Sequence, residues 1–375
     1  MPAAALPPRP GLLLACGLTT LDVVQTVEHV PSADEKVVAT GQSVGAGGPA
    51  ANAAVTSVAL GTPARLLTRI GGGALGCAVA ADLLEHGVEV ADRAGVSAVP
   101  AVSTVLVTRA TGQRAVVSVN ATLGAGAGAG AGAGLSGVEL GRLLDGVVVV
   151  LVDGHNLDLA LAVASAARDR GVPVVLDGGS WKPGLERLLR VVDMAALSAD
   201  FRVPGVGATY AEWRDVGVPD AGVRDAGVRA LDPEGALATL LAVADAGPRL
   251  VARSQGDGPI QALRAGAIET IAVPAVRVAD TLGAGDVLHG ALCAWVAVHG
   301  WAPGAGRPVA AGASVEAGDD AGVGAQVPPD AAPWWPTALA FAAEVASASC
   351  TAPGARGWLA DRAGVSTLRG RLNKP

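Results

Sequence analysis

Apolar positions along this chain come in two rhythms. In the first 120 residues short extended runs dominate. Residues 12–17 form a continuous apolar run, and 23–27 and 37–44 read as extended segments parted by a polar turn at 31–34. Residues 49–60 read as a helix, with Pro49 near the start, alanines inside and Gly61 at the end. A strand at 64–70, a helix at 75–86 closed by Gly87, and a hairpin of 104–108 with 115–119 around Thr111-Gly112 follow. From 147 onward the rhythm is strand, helix, strand. Residues 147–152 are apolar throughout, as a strand covered on both faces must be. Helices at 157–169, 185–191, 234–244, 284–299 and 337–350 alternate with strands at 174–176, 194–197 and 250–252, and a late hairpin joins 260–263 to 267–273.

Strands and helices alternating at these lengths predict an α/β fold whose mostly parallel sheet carries helices on both faces. The early extended pairs break that rhythm and predict a small separate β-sheet, such as a lid, near 20–45 and 102–120. One domain then spans 11–372. Two inserts interrupt it, a Gly/Ala low-complexity loop at 124–134 and a Gly/Ala/Pro-rich insertion at 302–333, and neither carries a functional signal. Residues 1–10 read as a Pro-rich tail.

Composition narrows the function classes. Of 375 residues, 51% are hydrophobic and 16% charged, which supports a large core and excludes global disorder. A net charge of −7 argues against a nucleic-acid partner, because phosphate binding needs clustered Lys and Arg. No apolar run reaches the ~18 residues of a membrane span, so no membrane partner is expected. Leu13-Leu14-Ala15-Cys16 resembles a lipoprotein cleavage site, but the apolar stretch before it is short and only Arg9 flanks it. The segment reads instead as a buried first strand. Cys16, Cys77, Cys293 and Cys350 are far apart and form no CxxC, which fits reduced, cytoplasmic thiols.

The candidate chemistry lies in two glycine clusters. In DTLGAGD (Asp280–Asp286), Gly283 and Gly285 stand where a helix begins and its amides are unpaired. Backbone free of Cβ atoms can approach a phosphate there, with Asp286 placed to take a proton from a hydroxyl beyond it. On spacing alone the stretch reads equally as a glycine turn with an N-terminal Asp satisfying the helix dipole. In GAGGPAANAAV (Gly45–Val55), Gly47 and Gly48 precede a helix that carries a polar Asn52. Its amide, like the carboxylate of Asp22, suits vicinal hydroxyls. Each also reads as a cap or a surface residue.

Taken in order, Asp22, Gly47-Gly48-x-x-x-Asn52, TRIGGGALG (Thr68–Gly76) and DTLGAGD resemble the ribokinase-like, PfkB-type carbohydrate kinases over nearly the whole chain. The resemblance implies a doubly wound α/β domain with a β-sheet lid. It implies Asp286 as catalytic base and Gly283, Ala284 and Gly285 as anion hole. Asp22, Gly47, Gly48 and Asn52 would hold a sugar, joined by Asn120 from the lid hairpin and His155 from VDGHNLD, which reads equally as a solvated loop histidine. Ser254, Gly256, Thr281, Gly283, Gly285, Cys350 and Gly354 would meet ATP. Mg²⁺ and, in some members, a monovalent cation bordering 350–354 are the implied cofactors, and a homodimer through the lid edge the implied assembly.

The motif style is closest to the ketohexokinase and sulfofructose kinase branch. Two departures stand out. Gly72 and Gly73 occupy the place of a usual acidic residue, and LSADFRVPG (197–205) stands where many members carry Asn-x-x-Glu. His289 could face the site from one turn past Asp286, and Lys182 could approach a phosphate, though supporting or surface roles suit both. The expected activity is phosphorylation of a ketohexose- or pentose-like sugar. A nucleoside kinase ranks lower because the early lid region has no aromatic residue to stack a base. A degenerate kinase acting as a sugar-binding regulator is the rival that the missing Asn-x-x-Glu favours. A Rossmann dehydrogenase lacks its fingerprint after the first strand.

Overall fold

The computed structural model describes residues 11–119, 134–206, 235–301 and 334–374. Asn120 and nearly all of the two low-complexity inserts lie outside them. In chain order the strands are β1 (Leu12–Cys16), β2 (Thr20–Val27), β3 (Gly41–Gly47), β4 (Ala64–Thr68), β5 (Glu89–Asp92), β6 (Ala101–Thr108) and β7 (Arg114–Ser118), then β8 (Val147–Val152), β9 (Val174–Gly178), β10 (Met194–Leu197), β11 (Leu250–Gln255), β12 (Gly258–Arg264) and β13 (Ala267–Ile271). The helices are α1 (Pro49–Ala59), α2 (Gly73–Glu85), α3 (Gly137–Leu143), α4 (Leu157–Asp169), α5 (Leu185–Leu189), α6 (Ala236–Ala246), α7 (Ala284–His299), α8 (Trp334–Ser349) and α9 (Arg362–Leu372).

Nine strands make one sheet in the order β13-β12-β11-β10-β9-β8-β1-β4-β5. From β5 to β11 every pairing is parallel, and β12 and β13 close one edge antiparallel. The strands are apolar on both faces because both are covered. In β1, Leu13 and Ala15 join the core beneath α1, α7 and α8, while Leu14 and Cys16 join the core beneath α4, α5 and α6. Val149 and Leu151 of β8 split from Val150 and Val152 in the same way. The alternation is the period-two consequence of a pleated strand.

The early extended pairs form a second sheet, ordered β3-β2-β6-β7, as the broken rhythm predicted. Its outer pairs are antiparallel and its central β2–β6 pair is parallel. Its second segment falls at 41–47 rather than 37–44. Gln42, Ser43 and the glycines have little strand propensity of their own, and pairing with β2 holds them extended. Three further elements carried too little apolar pattern to be read. They are the edge strand β5 (Glu-Val-Ala-Asp), the helix α3, and α9, which buries only Leu368 and Leu372. Among the described residues no helix is long and apolar enough to cross a membrane.

Candidate active site

Parallel α/β sheets present their ligand sites at the carboxyl ends of their strands. Two cavities open there. The smaller, about 290 Å³, lies under the small sheet and is lined by Thr20, Asp22, Ser103 and Ser118 from that sheet, with Gly48, Asn52, Asp153, His155 and Lys182 opposite. The larger, about 750 Å³, runs along the ends of β10 and β11 past Ser254, Gly256, Thr281, Gly285 and Cys350. Asp177, Gly179, Gly283 and Asp286 line both, so the two cavities meet at the start of α7.

That start is built by Gly283, which caps the helix at φ 74°, a conformation glycine adopts without strain. A Cβ there would also come 2.5 Å from that of Ala355. The preceding loop is tied to the chain's last third. The Cys350 carbonyl accepts the amides of Ala279 (2.8 Å) and Asp280 (3.2 Å), and the Asp280 carboxylate accepts those of Leu282 (2.9 Å) and Gly354 (2.8 Å). Gly354 therefore braces the loop and does not line the larger cavity. The amides of Gly283 and Gly285 have no partner among the described residues. Ala284 departs from expectation, because its amide closes a turn on the Thr281 carbonyl at 3.3 Å.

Asp286 sits in the first turn of α7. Burial pushes its carboxyl up, and the neighbouring Asp177 carboxylate adds to this. The Asn52 amide and His289 oppose them, and the value settles at about 7. Asn52 Nδ2 donates to Asp286 Oδ2 at 2.8 Å, while Asn52 Oδ1 accepts from Arg356 Nε at 3.1 Å. An arginine only donates, so it fixes which end of the amide faces Asp286. Arg356 Nη1 also pairs with Asp82 Oδ2 on α2 at 2.6 Å, and that oxygen accepts the Ala46 amide of β3 at 3.0 Å.

His289 lies buried one turn further along α7. Its Nε2 faces the Ala196 carbonyl at 3.0 Å and its Nδ1 the Asp177 carboxylate at 3.1 Å. Both neighbours are acceptors, so the ring carries both protons. Burial alone would lower its pKa, but the Asp177 charge reverses this and holds it at about 9.

On the other side of the smaller cavity, burial raises the Asp22 carboxyl against a 2.6 Å hydrogen bond from the Thr20 hydroxyl. Gly47 lies against that carboxylate where a Cβ would overlap it, and Gly48, at φ 96°, leaves 2.5 Å between a built Cβ and the Leu18 carbonyl. The carboxylate of Asp153 accepts the amides of Leu18 (2.8 Å) and Ala50 (3.3 Å) and faces His155 Nδ1 at 3.2 Å. Burial would raise Asp153, but His155 and these donors hold it below the ordinary value.

The structure thus brings Asp22, Gly48, Asn52, His155 and Asp286 around one cavity, with Gly47 against the Asp22 carboxylate rather than on the cavity wall, and Ser254, Gly256, Thr281, Gly283, Gly285 and Cys350 around the other. Lys182, read as a phosphate contact or a surface residue, instead lines the smaller cavity. Sequence reasoning missed Asp153, Asp177, Asp82 and Arg356. The first two had a signal, an apolar strand ending in Asp-Gly (VLVDG, VVLDG).

The same fold occurs in ribokinase from Arabidopsis thaliana complexed with ribose and ATP. That match has a TM-score of 0.63 and 20% identity, covering 96% of this chain and 98% of that one. It occurs in ribokinase from Thermotoga maritima (TM-score 0.62, 17% identity, 96% and 99%) and in Escherichia coli phosphofructokinase-2 in complex with potassium (TM-score 0.61, 16% identity, 97% and 99%). A family model, described as pfkB family carbohydrate kinase, matches residues 11–200. With that match over half its length and this architecture around it, the chain belongs to the pfkB family of carbohydrate kinases.

Proposed function

We propose that this chain transfers the γ-phosphoryl group of ATP to a hydroxyl of a ketohexose- or pentose-like sugar, with Asp286 as general base. The reading rests on one observation: Asp286 and Gly283 line both cavities. The sugar occupies the smaller cavity and the nucleotide the larger, so the acceptor hydroxyl and the γ-phosphate meet at this turn. Asn52 engages Oδ2 of Asp286, which leaves Oδ1 to take the hydroxyl proton. The sugar oxygen forms a bond to γ-phosphorus, and the bond from phosphorus to the β,γ-bridging oxygen breaks, its electron pair leaving on ADP. The unpaired Gly283 and Gly285 amides meet the charge that develops, each well-placed donor being worth roughly 10²–10³ in rate.

Magnesium fits this arrangement through the nucleotide. Among the described residues no cluster of three side chains could hold a metal by itself. Asp177, which lines both cavities at their junction and whose Oδ2 faces His289 Nδ1 at 3.1 Å, is the carboxylate that would help hold an ion bound mainly by phosphates and water. The bound ion would neutralise triphosphate charge. The walls of the smaller cavity carry Asp22, Asp153, Asp177 and Asp286 against one lysine and one histidine, which favours a neutral polyol over a phosphorylated or sulfonated sugar.

ATP turnover against a panel of hexoses and pentoses tests the reading. Sugar-dependent ADP release is expected. Asp286 works deprotonated and its carboxyl is raised to about 7, so kcat/KM should climb as pH rises through about 7 and fall below it. Absence of sugar-dependent turnover, or a rate flat from about pH 5.5 to 8, would refute it. Arg356→Met should lower kcat by roughly 10–100-fold with little change in sugar KM, the loss expected when a charge-assisted hydrogen bond no longer orients the Asn52 amide. Arg356→Met with wild-type kcat would remove Arg356 from the positioning of Asn52.

A further inference from the structure

Asp82, late in α2, lines neither cavity. Both of its close side-chain contacts nevertheless lead to the site, and both fall on one oxygen. Oδ2 accepts the Ala46 amide at 3.0 Å and pairs with Arg356 Nη1 at 2.6 Å. Oδ1 stands 3.8 Å from His86 Nδ1, beyond hydrogen-bond reach. The carboxylate is thus held from one side by backbone and from the other by a guanidinium.

The two partners come from different parts of the fold. Ala46 belongs to β3, an edge strand of the small sheet, and an edge strand carries amides with no neighbouring strand to take them. Asp82 takes this one. The next residue, Gly47, lies against the carboxylate of Asp22, which lines the sugar-side cavity. Arg356 comes from the loop after α8, and its Nε continues the line of hydrogen bonds through Asn52 to Asp286. Ala46, Asp82, Arg356, Asn52 and Asp286 therefore join the sugar-side sheet to the carboxylate assigned as base. Burial lowers the Arg356 pKa, and Asp82 is the charge that opposes this most. Asp22 and Asp286 are the other carboxylates whose charge reaches it. A mostly buried guanidinium deprived of Asp82 would be left to those two, which the sugar needs open.

We propose that Asp82 is a positioning residue for phosphoryl transfer: it holds the Arg356 guanidinium to the Asn52 amide and ties that hold to the sheet that seats the sugar. The inference rests on the kinase reading above and extends it to a side chain outside both ligand sites. Held this way, Arg356 keeps the Asn52 amide group on Oδ2 of Asp286, and Oδ1 stays free for the acceptor hydroxyl.

The test compares Asp82→Asn, Asp82→Leu, Arg356→Met and the double variant Asp82→Asn/Arg356→Met with wild type. It reads kcat and KM on the sugar that turns over best, urea midpoints, and the side-chain amide resonances of Asn52 by NMR. Asp82→Asn keeps the shape and an oxygen for Ala46 but not the charge. Its kcat should fall about 10-fold, with sugar KM within about 2-fold of wild type. Asp82→Leu loses the oxygen as well, so its sugar KM should also rise, by about 3-fold or more. The double variant should lie within about 2-fold of Arg356→Met, because Asp82 acts through Arg356, whereas independent losses would multiply. The Asn52 resonances should move in both Asp82→Asn and Arg356→Met. If Asp82→Leu does not fold, the near-isosteric Asp82→Asn carries the test. Wild-type kcat in Asp82→Asn, multiplied losses in the double variant, or unmoved Asn52 resonances would each overturn the proposal. A sugar KM no higher in Asp82→Leu than in Asp82→Asn would overturn the tie to the small sheet. A wild-type protein that phosphorylates no sugar would refute the kinase reading, and the Asn52 resonances would still decide whether Asp82 orients that amide.

Discussion

Replacing Asp286 by Asn should reduce kcat by roughly 10²–10⁴-fold, the range a positioned general base contributes. The change is close to isosteric, and the Asn52 amide keeps an oxygen to donate to, so the geometry at the start of α7 survives. Sugar and ATP should still bind. Stability should move the other way. The Asp286 carboxyl is raised by burial, so the folded state holds its proton more tightly than the unfolded chain does. Wild-type stability from this group is present below the ordinary carboxylate range and is lost as pH rises toward about 7. A neutral amide has no such loss. Asp286→Asn should therefore melt above wild type at about pH 8, with the gap closing as pH falls toward about 4. Scanning calorimetry at the two pH values, with turnover measured alongside, checks both halves. A kcat within about 10-fold of wild type would end the assignment of Asp286 as base.

The second large effect is expected at Gly290, away from any ligand. α7 packs between α1 and α8, and Gly290 is where it meets α1. A Cβ there would overlap the Ala53 carbonyl oxygen and come 2.8 Å from Thr56 Cβ and 2.9 Å from Ala53 Cα, none of which is a flexible side-chain end. Gly290→Ala must push the helices apart, at a cost of about 1–3 kcal/mol for overpacking. The same shift reaches the chemistry. Asn52 stands next to Ala53 on α1 and Asp286 one turn before Gly290 on α7, joined by the 2.8 Å hydrogen bond. A displacement of about 1 Å at a reacting group can cost about 10²-fold in rate. Urea denaturation and kcat should therefore both register the change. A variant with wild-type midpoint and full activity would show that the crossing has slack the backbone contact denies.

The parts of this protein legible in its sequence are those written in local pattern. Val147–Val152, Leu157–Asp169, Met194–Leu197 and Ala284–His299 are bounded as read, because continuous apolar runs and glycine stops suffice to define them. β5 and α9 were not, since Glu89 and Asp92 flank two modest apolar residues and α9 mixes arginines with glycines around its two buried leucines. At the site, glycine turns announced Gly48, Asn52, Gly283 and Asp286. Asp177 and Asp153 are single acids closing apolar strands, and their weight comes from partners far away in sequence: His289 for one, Leu18 and Ala50 for the other. Nothing in the sequence around Arg114 points to Thr281, 167 residues further on, whose hydroxyl its Nη1 meets at 2.8 Å.

The hydrogen bonds from Arg356 to Asn52 and from Asn52 to Asp286 bridge 304 and 234 residues of chain. Contacts of such reach are the slow ones in folding, because loop closure must be met before they return anything. The matched stretch 11–200 holds Asn52 but neither Asp286 nor Arg356. A nascent chain leaving the ribosome thus has every strand of both sheets synthesised, the last ending at Ile271, before Asp286 and Arg356 emerge. A fragment cut before Arg356 lacks the donor that orients the Asn52 amide toward Asp286.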